Sequence, residues 1–346
     1  MTTNFGPRER AARINAARSL VLDHLERLDA ATPGKETTDA CRAAFSSEHL
    51  YLGVHPFNTL RGPERLAEVL WSPFHSARSG TPCQRRLDIV IAGHQACDIR
   101  EPIWVVAMGH CLWHFDRSWL GIPPTGKVSF LRFASAFRVE STEIVETVEF
   151  LDILGVLDQA GVNGYSGYQT AAQFLTPGPR THDGILSGTR DPTEGRRTMD
   201  LTKAMLDDLV ANGMQSPVAH LKRFWHPDMN WFGPTGIGSC LGFKSYRRGH
   251  TGPFEERLEF VQDFDTVCRI AEGDYAAFFW RPCLSMRSTG GFLGLPPLDR
   301  PAEMRVVDLY RRQGDRLAEN WIFIDMLHFL NMQGVDVLSG IQERET

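Results

Sequence analysis

The chain repeats itself. Setting Asp152 over Asp325, an offset of 173, aligns residues 119–162 with 292–335 without a gap. WLGIPP falls on FLGLPP, EFLDILGVLDQAGV falls on IFIDMLHFLNMQGV, and 13 of the 44 pairs are identical. Average composition alone would give roughly 6% identity. An offset of 180 extends the match backward, placing Tyr51-Leu52-Gly53 over Trp231-Phe232-Gly233 and Gly62 over Gly242. A missed duplication misreads a fold, so this feature constrains the chain most. The 346 residues have room for two domains. The expected boundaries are 1–163 for the first, 198–346 for the second, and 164–197 for a linker dense in Gly, Pro, Ser and Thr. A structureless connector of that length is unusual in a compact protein, which suggests that it lies over one domain.

Each unit opens with amphipathic helix: Ile14, Ala17, Val21, Leu25 and Leu28 recur at three and four, as do Leu201, Met205 and Leu209. Strand character follows. Residues 104–115, 127–139 and 144–154 are rich in Val, Ile, Phe and Trp, as are 275–286, 304–311 and 317–327. Gln313-Gly314-Asp315 reads as a hairpin turn. Helices followed by antiparallel strands predict an α+β unit rather than a doubly wound α/β domain. GxGxxG and GxxxxGK[ST] are absent.

Charge removes some functions. Lys and Arg number 37 against 42 Asp and Glu, so the chain lacks the positive excess that holds nucleic acid. It also lacks the long apolar run that predicts a membrane helix. Seven scattered cysteines without a CxxC pair fit buried thiols in a reducing cytoplasm, the expected location.

The last predicted strand carries the most chemistry. Alternation puts Glu319, Trp321, Phe323 and Asp325 on one face. A two-residue loop at Gly314-Asp315 would set Asp308 opposite Trp321, bringing it onto that face too. Two carboxylates on an aromatic wall result, separated by roughly 13 Å along the sheet. At that distance each acts singly. A lone Asp among Trp, Phe and Met is partly desolvated, which raises its pKa and suits it to deprotonating a carbon acid. The competing reading pairs either Asp with an arginine such as Arg305 or Arg311. His110, His114 and Asp116 share a strand face as a polar pocket wall in the first copy, while the strand spacing of the two histidines is too long for one metal ion. Trp231 reads as core or as substrate platform.

The run x-L-G-[LI]-P-P, then D-[LI]-Y-R, a Gly-Asp turn, E-N-W and F-I-D-x-L-x-x-L-x-x-Q-G resembles the C-terminal half of the SnoaL-like polyketide cyclase (ester cyclase) family. That family lies within the nuclear-transport-factor-2-like superfamily. The resemblance is specific over 292–334, reaches back to about His226, and extends to the first copy through the repeat. It implies two tandem cone-shaped curved antiparallel sheets with helices at the mouth, paired as an internal pseudo-dimer with room for further self-association. It implies aldol cyclisation of a hydrophobic carbonyl compound, with no metal and no organic cofactor. Asp325 matches the family's acid/base, with Asp308 as polar support and Trp321, Phe323 and Trp231 as pocket wall. Asp152 is the corresponding acid of the first copy, where Ser135 replaces Asp308 and Val148 replaces Trp321. Asn320 stands where many relatives carry His. The leading expectation is therefore a cofactor-independent cyclase, lyase or isomerase. The alternatives are a dehydratase or hydrolase using the same Asp, and a noncatalytic small-molecule binding module.

Overall fold

The computed structural model describes residues 6–78, 80–162 and 176–342. Its first half runs α1 (Pro7–Ala30), α2 (Lys35–Arg42), β1 (Phe45–Gly53), β2 (Thr59–Arg61) and α3 (Pro63–Leu66). A π-helical turn, Ala67–Trp71, leads into α4 (Ser72–Ser76), then β3 (Gln84–His94), β4 (Ile103–Phe115), β5 (Lys127–Glu140), β6 (Glu143–Leu151) and α5 (Ile153–Gln159). The second half repeats this order. It runs α6 (Pro192–Ala211), α7 (Val218–Phe224), β7 (Trp225–Phe232), β8 (Ser239–Leu241), α8 (Gly242–Tyr246) and a π-helical turn at Arg247–Thr251. After α9 (Gly252–Arg257) come β9 (Leu258–Asp263), β10 (Cys268–Glu272), β11 (Tyr275–Ser288), β12 (Ala302–Gln313), β13 (Arg316–Ile324), α10 (Met326–Met332) and α11 (Ser339–Gln342).

Each half builds one open, mixed sheet. The orders are β2-β1-β6-β5-β4-β3 and β8-β7-β13-β12-β11-β10, with β9 also on β11. The first strand of each half runs parallel to its last, β1 with β6 and β7 with β13, and the other pairings are antiparallel. Even local strain recurs: Leu120 and Leu293, both in the LGxPP segment, have positive φ of 56° and 49°. A non-glycine residue there is uncommon. The fold is thus α+β with two similar sheets, neither closed into a barrel. Among the described residues no helix is long and apolar enough to cross a membrane.

The sheets meet back to back. Phe150 and Phe279 contact edge to face with ring centres 6.4 Å apart, and the Arg132 guanidinium lies 3.9 Å from the centre of the Phe323 ring. Burying one sheet face against another removes apolar surface that a single curved sheet would expose. The described end of the connector runs along this seam. Residues 184–186 hydrogen-bond to Val90 of β3, and the Trp321 indole donates to Pro177 O at 2.8 Å.

Register overturns one expectation. The hairpin loop is Gly314-Asp315, with Gln313 opposite Arg316, but a bulge beyond Arg312 inserts a residue into β13. Asp308 therefore opposes Ile322, not Trp321. One extra residue reverses the face of everything after it. Asp308 points into the concave side with Asn320, Ile322 and Ile324, whereas Glu319, Trp321 and Phe323 point to the seam.

Candidate functional site

In the second half, α6, the π turn and the concave sheet face enclose a cavity of about 670 Å³. That volume lies in the range of small-molecule sites. Its walls are aromatic, including Trp225, Trp231, Phe278 and Trp280, and its polar groups gather at Tyr246, His250, Asp308, Tyr310 and Asn320. Strand alternation places 308 and 310 together, and their neighbours across the ladder, 322 and 320, complete the surface.

Of the carboxyls lining this space, which include Asp207, Glu255, Glu259, Asp263 and Asp265, Asp308 is the buried one. It is 7% exposed, accepts a hydrogen bond from Asn320 Nδ2 at 2.9 Å, and has the Tyr310 phenol as a polar neighbour. Burial pushes its pKa up to about 7 even though both neighbours pull it down. Asn320 also donates to Leu309 O at 3.0 Å, which fixes the amide that holds the carboxyl. His250 is held neutral by burial, its pKa lowered to about 3, and its ring stacks on Trp231 at 4.1 Å. At the rim, Asp207 and Asp265 pair with Lys203 and Arg269.

Asp325, expected as the base, lies elsewhere. It follows the last residue of β13 and caps α10, accepting from His328 N at 3.1 Å. Its other oxygen takes His55 N from the first half at 2.9 Å and Arg305 at 3.1 Å. Burial raises its pKa while Arg305 pulls it down, but the side chain belongs to the seam and not to the cavity. Asp152 is its counterpart: it caps α5 through Gly155 N at 3.1 Å and reaches across to Thr235, whose hydroxyl donates at 3.0 Å. Positions 55 and 235 are themselves equivalent in the repeat. The two aspartates thus make reciprocal contacts of the kind a twofold axis produces.

The remaining expected residues divide. Trp231 lines the cavity. Trp321 and Phe323 do not, because the bulge turns them to the seam. His110 is buried beside Asp88, with Nδ1 to Oδ2 at 3.2 Å, and His114 is exposed beside Asp116 at 3.3 Å, so neither forms the expected pocket wall. Among the described residues no three His, Cys, Asp or Glu side chains group as metal ligands would.

The first half fills the matching space with its own side chains. Ser135 and Glu149, equivalent to Asp308 and Ile322, oppose each other across β5 and β6. Glu149 accepts from Ser135 Oγ at 2.8 Å and Tyr51 OH at 3.1 Å. Arg85, paired with Asp29 at 2.8 Å, lies over the Phe133 ring, and His49 stacks on Phe45 at 4.0 Å.

Tyr246, His250 and Tyr310 escape a reading of the sequence by motif. The offsets that define the repeat point to them, since the first half carries Leu66, Leu70 and Phe137 at those positions.

An open α+β sheet capped by helices around an aromatic cavity with one buried acid defines a small-molecule pocket protein. Residues 204–331 match the family described as SnoaL-like polyketide cyclase. Among solved structures, it is similar to IdmH of Streptomyces antibioticus, described as a polyketide cyclase, at 20% identity over 40% of this chain and 99% of that one, with a TM-score of 0.31. An NTF2-like protein of Burkholderia thailandensis matches at 20% identity over 41% and 95%, TM-score 0.31. An LEH-like epoxide hydrolase of M. tuberculosis matches at 15% over 43% and 91%, TM-score 0.30. No curated protein matches the chain.

Proposed function

We propose that the second-half cavity is the active site of a cyclase acting on a hydrophobic carbonyl compound, with Asp308 as its general acid and base. The supporting observation is that Asp308 faces the cavity with its pKa near 7, whereas Asp325 is consumed by a helix cap and an ion pair. A base works best when its pKa lies near the working pH. The carboxylate takes a proton from carbon next to a carbonyl, and the C–H electron pair moves onto oxygen as an enolate. The enolate carbon then attacks a second carbonyl of the same molecule, and the resulting alkoxide recovers the proton from Asp308. Atoms balance without a further reactant. The aromatic walls exclude water and hold the two ends of the ligand together, which is most of what an intramolecular aldol needs.

Solvent deuterium exchange tests this without knowing the natural substrate. Aromatic β-keto esters and cyclic ketones are incubated in D2O and followed by proton NMR. The proposal expects exchange at the α-carbon that depends on Asp308 and persists in Asp325→Asn. Ligand binding without exchange in any form would favour a binding module. Exchange lost only in Asp325→Asn would return the base to the seam.

A further inference from the structure

The repeat supplies an internal control for the cavity. Where the second half has Tyr246 and His250, the first half has Leu66 and Leu70, both buried in its core. Both halves keep the same π-helical turn, 67–71 and 247–251, so the backbone is common and the side chains differ. Two polar groups in place of two leucines, both facing an aromatic cavity, need a polar object to face.

We propose that Tyr246 and His250 form a hydrogen-bond donor pair on the helical wall that receives the ligand's carbonyl oxygen, while Asp308 works from the sheet wall. This deepens the cyclase reading and rests on it: the ligand class becomes an enolisable ketone or ester whose oxygen gains negative charge. Several observations place the pair. The two rings are 5.3 Å apart, and His250 is clamped against Trp231 with an interplanar angle of 19°, which fixes its ring plane. His250 Nδ1 is buried without a hydrogen-bond partner among the described residues. After burial, the Asp308 charge is the strongest influence on the Tyr246 phenol, which brings donor and acid into one electrostatic neighbourhood. Burial keeps the phenol protonated and the imidazole uncharged, so each offers a neutral donor. Preorganised neutral donors in a water-poor site stabilise a developing oxyanion without prior reorganisation.

The test uses the full-length Asp308→Asn protein, in which the amide imitates a protonated acid and no carboxylate repels an anion. The probes are 2-naphthol, a planar enolate analogue, and naphthalene, its neutral shape. The expected result is that naphthol binds with the absorbance of naphtholate. Adding Tyr246→Phe or His250→Leu should each weaken naphthol by about 10- to 100-fold, as loss of a charge-assisted hydrogen bond does. Naphthalene binding should hold, and His250→Gln, which keeps a donor, should recover part of the loss. Equal losses for both probes would reduce the pair to packing, and unchanged naphthol binding would place the donors elsewhere. Because the carboxyl is already removed, either failure stands apart from failure of Asp308 as base, which the deuterium experiment reads.

Discussion

Between the two cones, one acid has changed strands. In the first half it is Glu149 on β6, facing Ser135 on β5; in the second it is Asp308 on β12, facing Ile322 on β13. Both acids are buried, and burial raises the pKa of both. Their surroundings separate them. Glu149 is enclosed by two hydroxyl donors in a core packed with Arg85, His49 and aromatic rings, so the carboxyl itself has its partners within the protein. Asp308 opens onto a cavity of about 670 Å³. A perturbed carboxyl marks a site only where space exists for something to react, which is why the raised pKa alone would not choose between them.

Mutating the two acids sharpens the contrast most. Asp308→Asn should lower the deuterium exchange rate by about 10²- to 10⁴-fold, the range for a positioned general base, while Glu149→Gln leaves it unchanged. Equal losses from both would erase the distinction between the halves.

Acid should attack both halves through buried neutral histidines. His24, His49 and His75 in the first and His250 and His328 in the second have pKa values lowered to about 3 from 6.5, with burial the leading cause. A depressed folded pKa means stability is held above pH 6.5 and lost as pH falls toward 3, the most deeply buried rings, His24, His49 and His250, costing up to roughly 1.4 kcal/mol each for every pH step below 6.5 and the more exposed His328 less. Thermal melts between pH 7.5 and 4.5 check this. Replacing His49 by Gln should flatten the slope, and a pH-independent midpoint would contradict the burial of these rings.

The seam aspartates form a second comparison. Asp325→Asn breaks a buried ion pair and should cost about 3 kcal/mol, whereas Asp152→Asn, which loses weaker cap and cross-half contacts, should cost about 1 kcal/mol. Urea unfolding reads both. Neither substitution should lower the exchange rate of the folded protein.

The smallest effect has the opposite sign. A folded pKa near 7 against 3.8 unfolded makes Asp308 a burden on stability that grows as pH rises toward 7. Asp308→Asn should therefore melt higher at pH 8, by roughly 2–4 °C for each kcal/mol of that burden released, and show no gain at pH 3.5. A gain at low pH only would reverse the assigned direction.

Much of this is legible in sequence, and the failures have physical causes. The strands β4, β5, β6, β11, β12 and β13 and the Gly314-Asp315 turn are readable because extended β-branched and aromatic runs leave few alternatives, whereas β3, 11 residues long, is not among the expected strands. The strands β1, β7, β9 and β10 mix polar and apolar residues and give no comparable signal. The bulge at Ala318, opposite the step from Arg311 to Arg312, carries no mark in the alternation of Leu317 to Ile324, so alternation alone assigns the faces beyond it backward. Asp325 is recognisable as a helix cap from the apolar spacing of Met326, Leu327, Phe329 and Leu330 that follows it. Tertiary contacts from His55 and Arg305 complete that role and cannot be read locally.

The most direct test is to watch Asp308 itself. In protein carrying carbon-13 at aspartate carboxyls, the resonance that disappears in Asp308→Asn should titrate near pH 7 and shift when 2-naphthol is added. A midpoint below pH 5, or a resonance indifferent to the ligand, would contradict the account and leave the second cone, like the first, a packed core with a buried acid.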